Sequence, residues 1–581
     1  MEREYSKATV LKRIFRCMKP YGVRIALVVF LMLVQSTIIT LLPAISAEAV
    51  DRHIVNGSME DLVLKVALYI LLVLIWWAAH VARVHIMAGV SNNVVLTIRE
   101  EAYRNVLRQD MHWFDEHSKG RILSRLVGDA SSLNDMLKQL VTTIVPNVFQ
   151  LVMIVVMMFI LDGTLAAAVT LCIPLVAISS AVLFHLIYPL WQRFREDQGR
   201  IAGYSNEAFT GMRTIQALGA QEECDEAFGK INGETTVSWV KAVRLGDLVG
   251  VVIDLGQGLG YAALFLSAVF IRRLDASSVG LIIAFTGYIS LFWQPIRALA
   301  NMSNQLGNNL AAAARVLTLV DEEPTVVPPS SPRRPAEASG RIQFVDVDFA
   351  YPDEPGRLVI KGLELTVRAG ESIALVGPTG AGKTTLASLV ARFYDPVRGK
   401  VLIDGVDLRD YDEEALRRHV CVMTQESVLF SGTIGENIAY GRSDATEEEI
   451  EAVGRAIGLD EVVRRLPKGY GTAVSDAALS QGQRQLVALA RTLLADPAIL
   501  VLDEATSSID TRSEILVQKG IALLSRSRTS IIVAHRLSTV RNVDRILVIA
   551  GQGIVEQGSH EELMARDGIY RRLVLSQREE E

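Results

Sequence analysis

Before Arg297 the chain is dominated by long runs without a charged side chain; after it, short apolar stretches alternate with charge. Ile25–Ala47 is one uncharged run, long enough at about 1.5 Å per helical residue to cross a hydrocarbon core of roughly 30 Å. Val66–Ala82 carries only His80, and Asp162 alone separates Gln139–Leu161 from Gly163–Gln192. Asp247–Ile271 is interrupted by Asp254, and Ala276–Ile296 closes the series. A single run of this kind can be the core helix of a soluble protein. Six in succession predict a membrane domain of six helices.

Lysine and arginine near the span ends set the expected orientation. Lys7, Lys12, Arg13, Arg16, Lys19 and Arg24 place the N-terminus inside, and Arg99, Arg104, Arg108, Lys119, Arg121 and Arg125 do the same for the segment between spans two and three. Arg272 and Arg273 run against this trend on the outer side. Six spans return the C-terminus to the cytoplasm. Residues 83–138 and 193–246 keep helical periodicity and read as membrane helices continuing into the cytoplasm, with polar elbows at 114–122 and 211–220. Elbows held far from the membrane predict contact points for another domain. The membrane domain is assigned to 1–316, a Pro-, Ser- and charge-rich linker to 317–340, and a soluble α/β domain to 341–581.

Net charge is −6 in 581 residues, which offers nothing to nucleic acid. Cys17, Cys172, Cys224 and Cys421 have no metal or redox spacing and read as small buried hydrophobes. The chemistry is in the C-terminal part. In "ESIALVGPTGAGKTTLASLV" (371–390) a buried strand meets a Gly-rich turn and a helix, and Gly377-Pro378-Thr379-Gly380-Ala381-Gly382-Lys383-Thr384-Thr385 fits the phosphate-loop pattern. Its glycines let backbone N–H groups wrap phosphates, Lys383 reaches the β- and γ-oxygens, and the Thr384 hydroxyl ligates Mg²⁺. "AILVLDEATSS" (498–508) is a buried strand closing on Asp503, placed to hold Mg²⁺, and Glu504, placed to activate water. A third feature is "LSQGQ" (479–483), where Ser480-Gln481-Gly482-Gln483 opens an amphipathic helix. That is a second anion cradle, and it also suits an ordinary helix cap.

With these motifs the stretch from Ile342 to Gln577 resembles the nucleotide-binding domain of ATP-binding cassette (ABC) transporters. "LSQGQ" is similar to that family's signature, and six spans ahead of the domain resemble an exporter half-transporter. The resemblance implies a multidomain fold, with a six-helix α transmembrane domain and an α/β P-loop domain. It implies ATP and Mg²⁺ as cofactors and a second half-transporter as partner, identical or different. Ser480 and Gly482 are then expected to face the γ-phosphate held by the partner's phosphate loop. Tyr351 corresponds to the aromatic stacked on adenine, Gln425 to the glutamine that senses Mg²⁺ and water, Asp510 to the loop joining the two sites, and His535 to the switch histidine beside Glu504. The stretch before the signature, "GYGTAVSDAALSQGQ", is shorter than the resemblance implies and lacks its Gly-Gly pair.

The expected activity is ATP-driven export of an amphipathic small molecule, drug or lipid by alternating access, from an inner or plasma membrane with both termini cytoplasmic. The alternatives are a dedicated exporter of a peptide or lipid precursor and a nucleotide-gated regulator or channel. Asp254 is a candidate contact for a cationic substrate, and equally a structural ion pair. His80, Arg83 and His85 are expected to snorkel or pair, and Trp76, Trp77 and Trp293 are assigned to an interfacial belt.

Overall fold

The computed structural model describes residues 5–55, 62–272, 279–424, 428–474, 479–503, 511–526, 528–534 and 540–580. The chain divides into two compact units, one of Met1–Leu107 with Gly120–Glu322, the other of Arg108–Lys119 with Glu323–Glu581.

Among the described residues of the first unit, six helices are long and apolar enough to cross a membrane: Ala8–Arg52, Leu62–Val106, Lys119–Leu161, Gly163–Thr210, Gln221–Ile271 and Val279–Leu299. Helix is the form this composition demands, because hydrocarbon offers backbone N–H and C=O groups no partner outside their own segment. Hydroxyls inside the helices follow the same rule. Thr37, Ser46, Thr170 and Ser179 each donate to the carbonyl four residues back, at 2.7–3.0 Å. Tyr288, fully buried, donates to the Thr40 carbonyl at 2.7 Å.

The N-terminal helix α1 (Lys7–Met18) is capped by Ser6, whose hydroxyl accepts from the Thr9 amide. Its apolar stripe, Val10, Ile14 and Met18, packs on Met32 of α2 (Gly22–Ala49) and on Met87, Val90 and Val94 of α3 (Leu62–Val106). The helix α4 (Met111–Glu116) lies in the other unit. A second core joins Ile154 and Met158 of α5 (Val145–Leu161) to Val176 of α6 (Cys172–Thr210). Past the second elbow, α7 (Met212–Leu218), the chain returns as α8 (Gln221–Leu266) and then α9 (Val279–Asp321). Trp293 of α9 is only 4% exposed within this second core, so it is a packing residue and not part of an interfacial belt. Space explains the placement: the indole lies against Gly256 of α8, where a Cβ would come within 3.0 Å of it. Helix α9 also runs on to Asp321, past the expected start of the linker at 317, where Tyr5 and Arg13 bond its carboxylate.

The second unit is built on two sheets. An antiparallel sheet has the order β2-β1-β4-β5, with β1 Ile342–Phe349, β2 Ile360–Val367, β4 Arg398–Ile403 and β5 Val406–Asp407. The larger sheet has the order β10-β9-β3-β8-β7-β6, with β3 Ser372–Val376, β6 Val420–Met423, β7 Ile499–Asp503, β8 Thr529–Val533, β9 Arg545–Ala550 and β10 Gly553–Gly558. All its pairings are parallel except β9–β10. The near-continuous burial of β3, β7 and β8 is what a parallel sheet covered on both faces requires.

Residues 108–119 fold with this second unit, so the first elbow is a contact point for the soluble domain, as its position in the sequence suggests. Asp110 is the joint. It caps α4 by accepting from the Trp113 amide at 3.0 Å, and it accepts from the Thr325 amide and hydroxyl at 2.6 Å and the Val326 amide at 3.2 Å. Burial pushes this carboxyl up, but the Thr325 hydroxyl and the three amides outweigh burial and hold its pKa below the usual carboxylate range. A depressed folded pKa means the stabilisation is complete above the unfolded value and disappears as pH falls through the folded one. Asp110→Ala is expected to cost about 1–2 kcal/mol, as loss of a cap does. Asp110→Asn keeps the cap and loses only the acid-dependent part. Thermal unfolding of the full chain in detergent, followed by tryptophan fluorescence from pH 7 to 3, reads both: the wild-type advantage over Asp110→Asn must shrink on acidification.

Candidate active site

Strand β3 delivers the chain to Gly377, whose φ of 155° puts an imagined Cβ 2.2 Å from the Ile549 carbonyl oxygen of β9. Only glycine lets the loop pass so close to the neighbouring strand. Gly382, at φ 98°, turns the loop into α10 (Lys383–Val390). Lys383, the first residue of that helix, is 6% exposed. Its ammonium donates to the Gly377 carbonyl at 2.8 Å and the Pro378 carbonyl at 2.9 Å. A desolvated cation held by two carbonyls of its own loop suits an exchange of partners, since phosphate oxygens carry the opposite charge that carbonyls only approximate. Pro378, Thr379, Gly380 and Ala381 complete the loop, and Thr384 is exposed in the first turn of α10.

Thr385 is buried, and its hydroxyl is 2.8 Å from that of Tyr351. Tyr351 also meets the Phe349 and Tyr394 rings edge-on at 5.0 and 5.3 Å. The aromatic expected at adenine is thus tied directly to the phosphate-loop helix.

Sheet register gathers the rest. Leu375 of β3 pairs with Val533 of β8, and Val533 is level with Asp503 of β7. On the far side Met423 of β6 pairs with Leu502. The strands leading to Gly377, Glu504, His535 and Gln425 therefore end along one sheet edge, although those last three residues and Asp510 lie outside the described residues. Asp503 is partly exposed at that edge. Thr384 and Asp503 supply an oxygen-only donor set, the kind a hard cation such as Mg²⁺ takes.

The second cradle has its own local structure. Ser480 caps α11 (Gln481–Ala495), accepting from the Gln483 amide at 3.4 Å, while the Gln483 side chain accepts from the Ser480 amide at 3.0 Å. Gly482 is buried in the first turn. The cap reading of Ser480 holds, and its hydroxyl proton remains available to an anion.

Tyr394, Asp115 and Asp110 were not evident in the sequence as members of this region. Tyr394 donates to Asp115 of α4 at 3.0 Å, and burial, then that carboxylate, push its ionisation well above the usual range. An aromatic beside an Asp in a polar stretch becomes a signal only once its distant partner is known. In the membrane unit, Asp254 is not a lone counter-ion. Arg297 bonds it and donates to Gln257 at 3.1 Å, and Gln257 donates to Tyr261, whose hydroxyl is 2.7 Å from that of Ser290.

These features define a membrane unit joined to a P-loop nucleotide unit, and comparison with known proteins agrees. Residues 25–296 match the family model of the ABC transporter transmembrane region and residues 360–507 that of the ABC transporter. A fatty acid ABC transporter ATP-binding/permease protein of Mycobacterium tuberculosis is 37% identical over 513 residues, 88% of this chain and 80% of that protein. An ATP-dependent lipid A-core flippase of Syntrophus aciditrophicus is 31% identical over 566 residues, 97% and 94% of the two chains. The structure of a bacterial Atm1-family ABC exporter with ATP bound superposes with a TM-score of 0.79 at 28% identity, covering 95% of this chain and 98% of that one. The chain belongs to the ABC transporter family. It is a multi-pass membrane protein that couples ATP hydrolysis to transport.

Gly377→Ala is expected to displace the loop from β9 and lower ATP affinity at least about tenfold, or about 1.4 kcal/mol. Gly380→Ala, whose Cβ meets nothing within 4 Å, should lose only about 1 kcal/mol of stability to its φ of 78°. Fluorescent ATP-analogue titration against both variants separates collision from backbone strain.

Proposed function

We propose that this chain is one half of an ATP-driven exporter of an amphipathic small molecule, drug or lipid, working as a dimer by alternating access. The level ends of β3, β8 and β7, with buried Lys383 on the helix that follows the loop after β3, carry the reading in a chain whose other unit has six spans. The relatives named for fatty acid and lipid A-core favour a lipid among these substrates, so a dedicated lipid exporter is the second reading.

In this reading Lys383 and the loop amides hold the ATP phosphates, and Tyr351 stacks on adenine. Ser480, Gln481, Gly482 and Gln483 cap the nucleotide of the second subunit. Each γ-phosphate is then shared across the interface, and ATP stabilises the closed pair because only that state makes both sets of contacts. Glu504 takes the proton of the attacking water, His535 orients Glu504, Gln425 relays nucleotide state towards the membrane unit, and Asp510 communicates between the sites. Thr384 and Asp503, with Gln425, would hold Mg²⁺, which supplies charge neutralisation at the phosphates. Movement reaches the membrane through the elbows. The first is folded into its own nucleotide unit, whereas α7 and its surroundings present exposed Phe209 and Leu218, suited to the nucleotide unit of the other subunit. Asp254 is assigned to a polar ladder with Arg297, so a cationic substrate would have to compete with that arginine. The basic residues around the first elbow and N-terminus support cytoplasmic termini in an inner or plasma membrane. The domain limits 1–316, 317–340 and 341–581 are proposed with the linker beginning at the end of α9.

Mg-ATPase of the purified chain in lipid, beside Glu504→Gln, tests the reading. Steady turnover, cut by about 10²–10⁴-fold in the variant while ATP still binds, is expected of a homodimer. Binding without turnover in the wild type would mean that Ser480 needs a different chain as partner.

A further inference from the structure

Where the first elbow meets the loop after β1, His112, Glu116 and Asp353 converge, with one ligand atom from each lying within 4.8 Å of the others. His112 and Glu116 stand one turn apart on α4, and so share a face. Asp353 comes from the loop after β1, two positions beyond Tyr351. All three belong to the second unit. The His112 side chain is 10% exposed, with the Tyr394 ring centroid 6.4 Å away, whereas Glu116 and Asp353 are 50% and 59% exposed. The cluster thus has a buried imidazole as its floor and two carboxylates at a solvent-open mouth.

Its spacing is informative. The imidazole Nε2 is 3.4 Å from the Asp353 carboxylate and 3.7 Å from that of Glu116. Both separations are longer than a charge-assisted N–H···O bond, which closes to roughly 2.7–2.9 Å. They approach the edge of a tetrahedron whose centre lies about 2.0–2.2 Å from each vertex, an edge of roughly 3.3–3.6 Å. One nitrogen with a carboxylate oxygen at each of these distances, all three atoms within 4.8 Å of one another and the outward side open to water, is the donor set of a three-ligand zinc site.

We propose that His112, Glu116 and Asp353 form a binding site for a divalent transition-metal ion of the zinc class. The ion bridges the first elbow to the loop that carries Tyr351, through ligands that neither the nucleotide chemistry nor the sheet uses. Stapling these segments restrains the elbow against the adenine-side loop, so bound zinc slows the ATPase cycle. Entry is from solvent, through the mouth formed by the exposed Glu116 and Asp353 carboxylates.

The test uses the full chain in lipid nanodiscs, stripped with EDTA and titrated with zinc chloride alone against a zinc-sensitive competitor dye, without nucleotide. Binding is therefore read independently of the export reading. One micromolar site per chain is expected, weakened at least about tenfold in Asp353→Asn and in His112→Gln. Asp353 is exposed enough for its variant to fold, and wild-type ATPase should be inhibited by zinc concentrations that leave Asp353→Asn unaffected. Absence of a micromolar site, or zinc affinity unchanged in both variants, overturns the proposal and leaves the trio as an ion-pair cluster.

Discussion

The hydrogen-bond register of the central parallel sheet is the constraint from which the rest of the nucleotide unit follows. Pairing of Leu375 with Val533, and of Val533 with Asp503, leaves the ends of three strands level and side by side. A slip of one residue on β7 would turn the side chain of Asp503 to the opposite face and carry the acid away from the phosphate loop. Burial makes the slip costly. Ile499, Leu500, Val501 and Leu502 are all at most 1% exposed, so no register exposes one of them without loss. Lys383 depends on the same sheet, because Gly377, whose carbonyl holds its ammonium, is pinned against β9.

A different rule governs the membrane unit. There the cost of an unpaired polar group selects the helices and the partners of several polar side chains described within them. Tyr288 reaches a backbone carbonyl of α2, and Arg297, Asp254, Gln257, Tyr261 and Ser290 form a continuous ladder on α8 and α9. Such a ladder neutralises its own charge.

The first elbow belongs structurally to the unit it serves. Asp110 caps α4 and binds the start of the linker, and Tyr394, one ring away from Tyr351, donates to Asp115. Tyr351, the phosphate-loop helix and the elbow are thus joined by hydrogen bonds and ring contacts in one unit.

What the chain determined by itself was whatever depends on near neighbours. The uncharged runs are membrane helices because backbone satisfaction is decided within a segment, and Gly377 to Thr384 was legible because the loop's geometry needs glycines at fixed spacing. The cap at Ser480 was likewise local. Folding in three dimensions decided the pairings. Trp293 looked like an interfacial anchor until Gly256 of another helix made room for it in the core. The arginine that pairs with Asp254 is 43 positions away, and Asp115, which accepts from Tyr394, is 279 positions away. An isolated side chain carries its chemistry in its own atoms, but its charge, burial and role are set by whichever atoms packing brings within a few ångströms, and no local pattern encodes that distance.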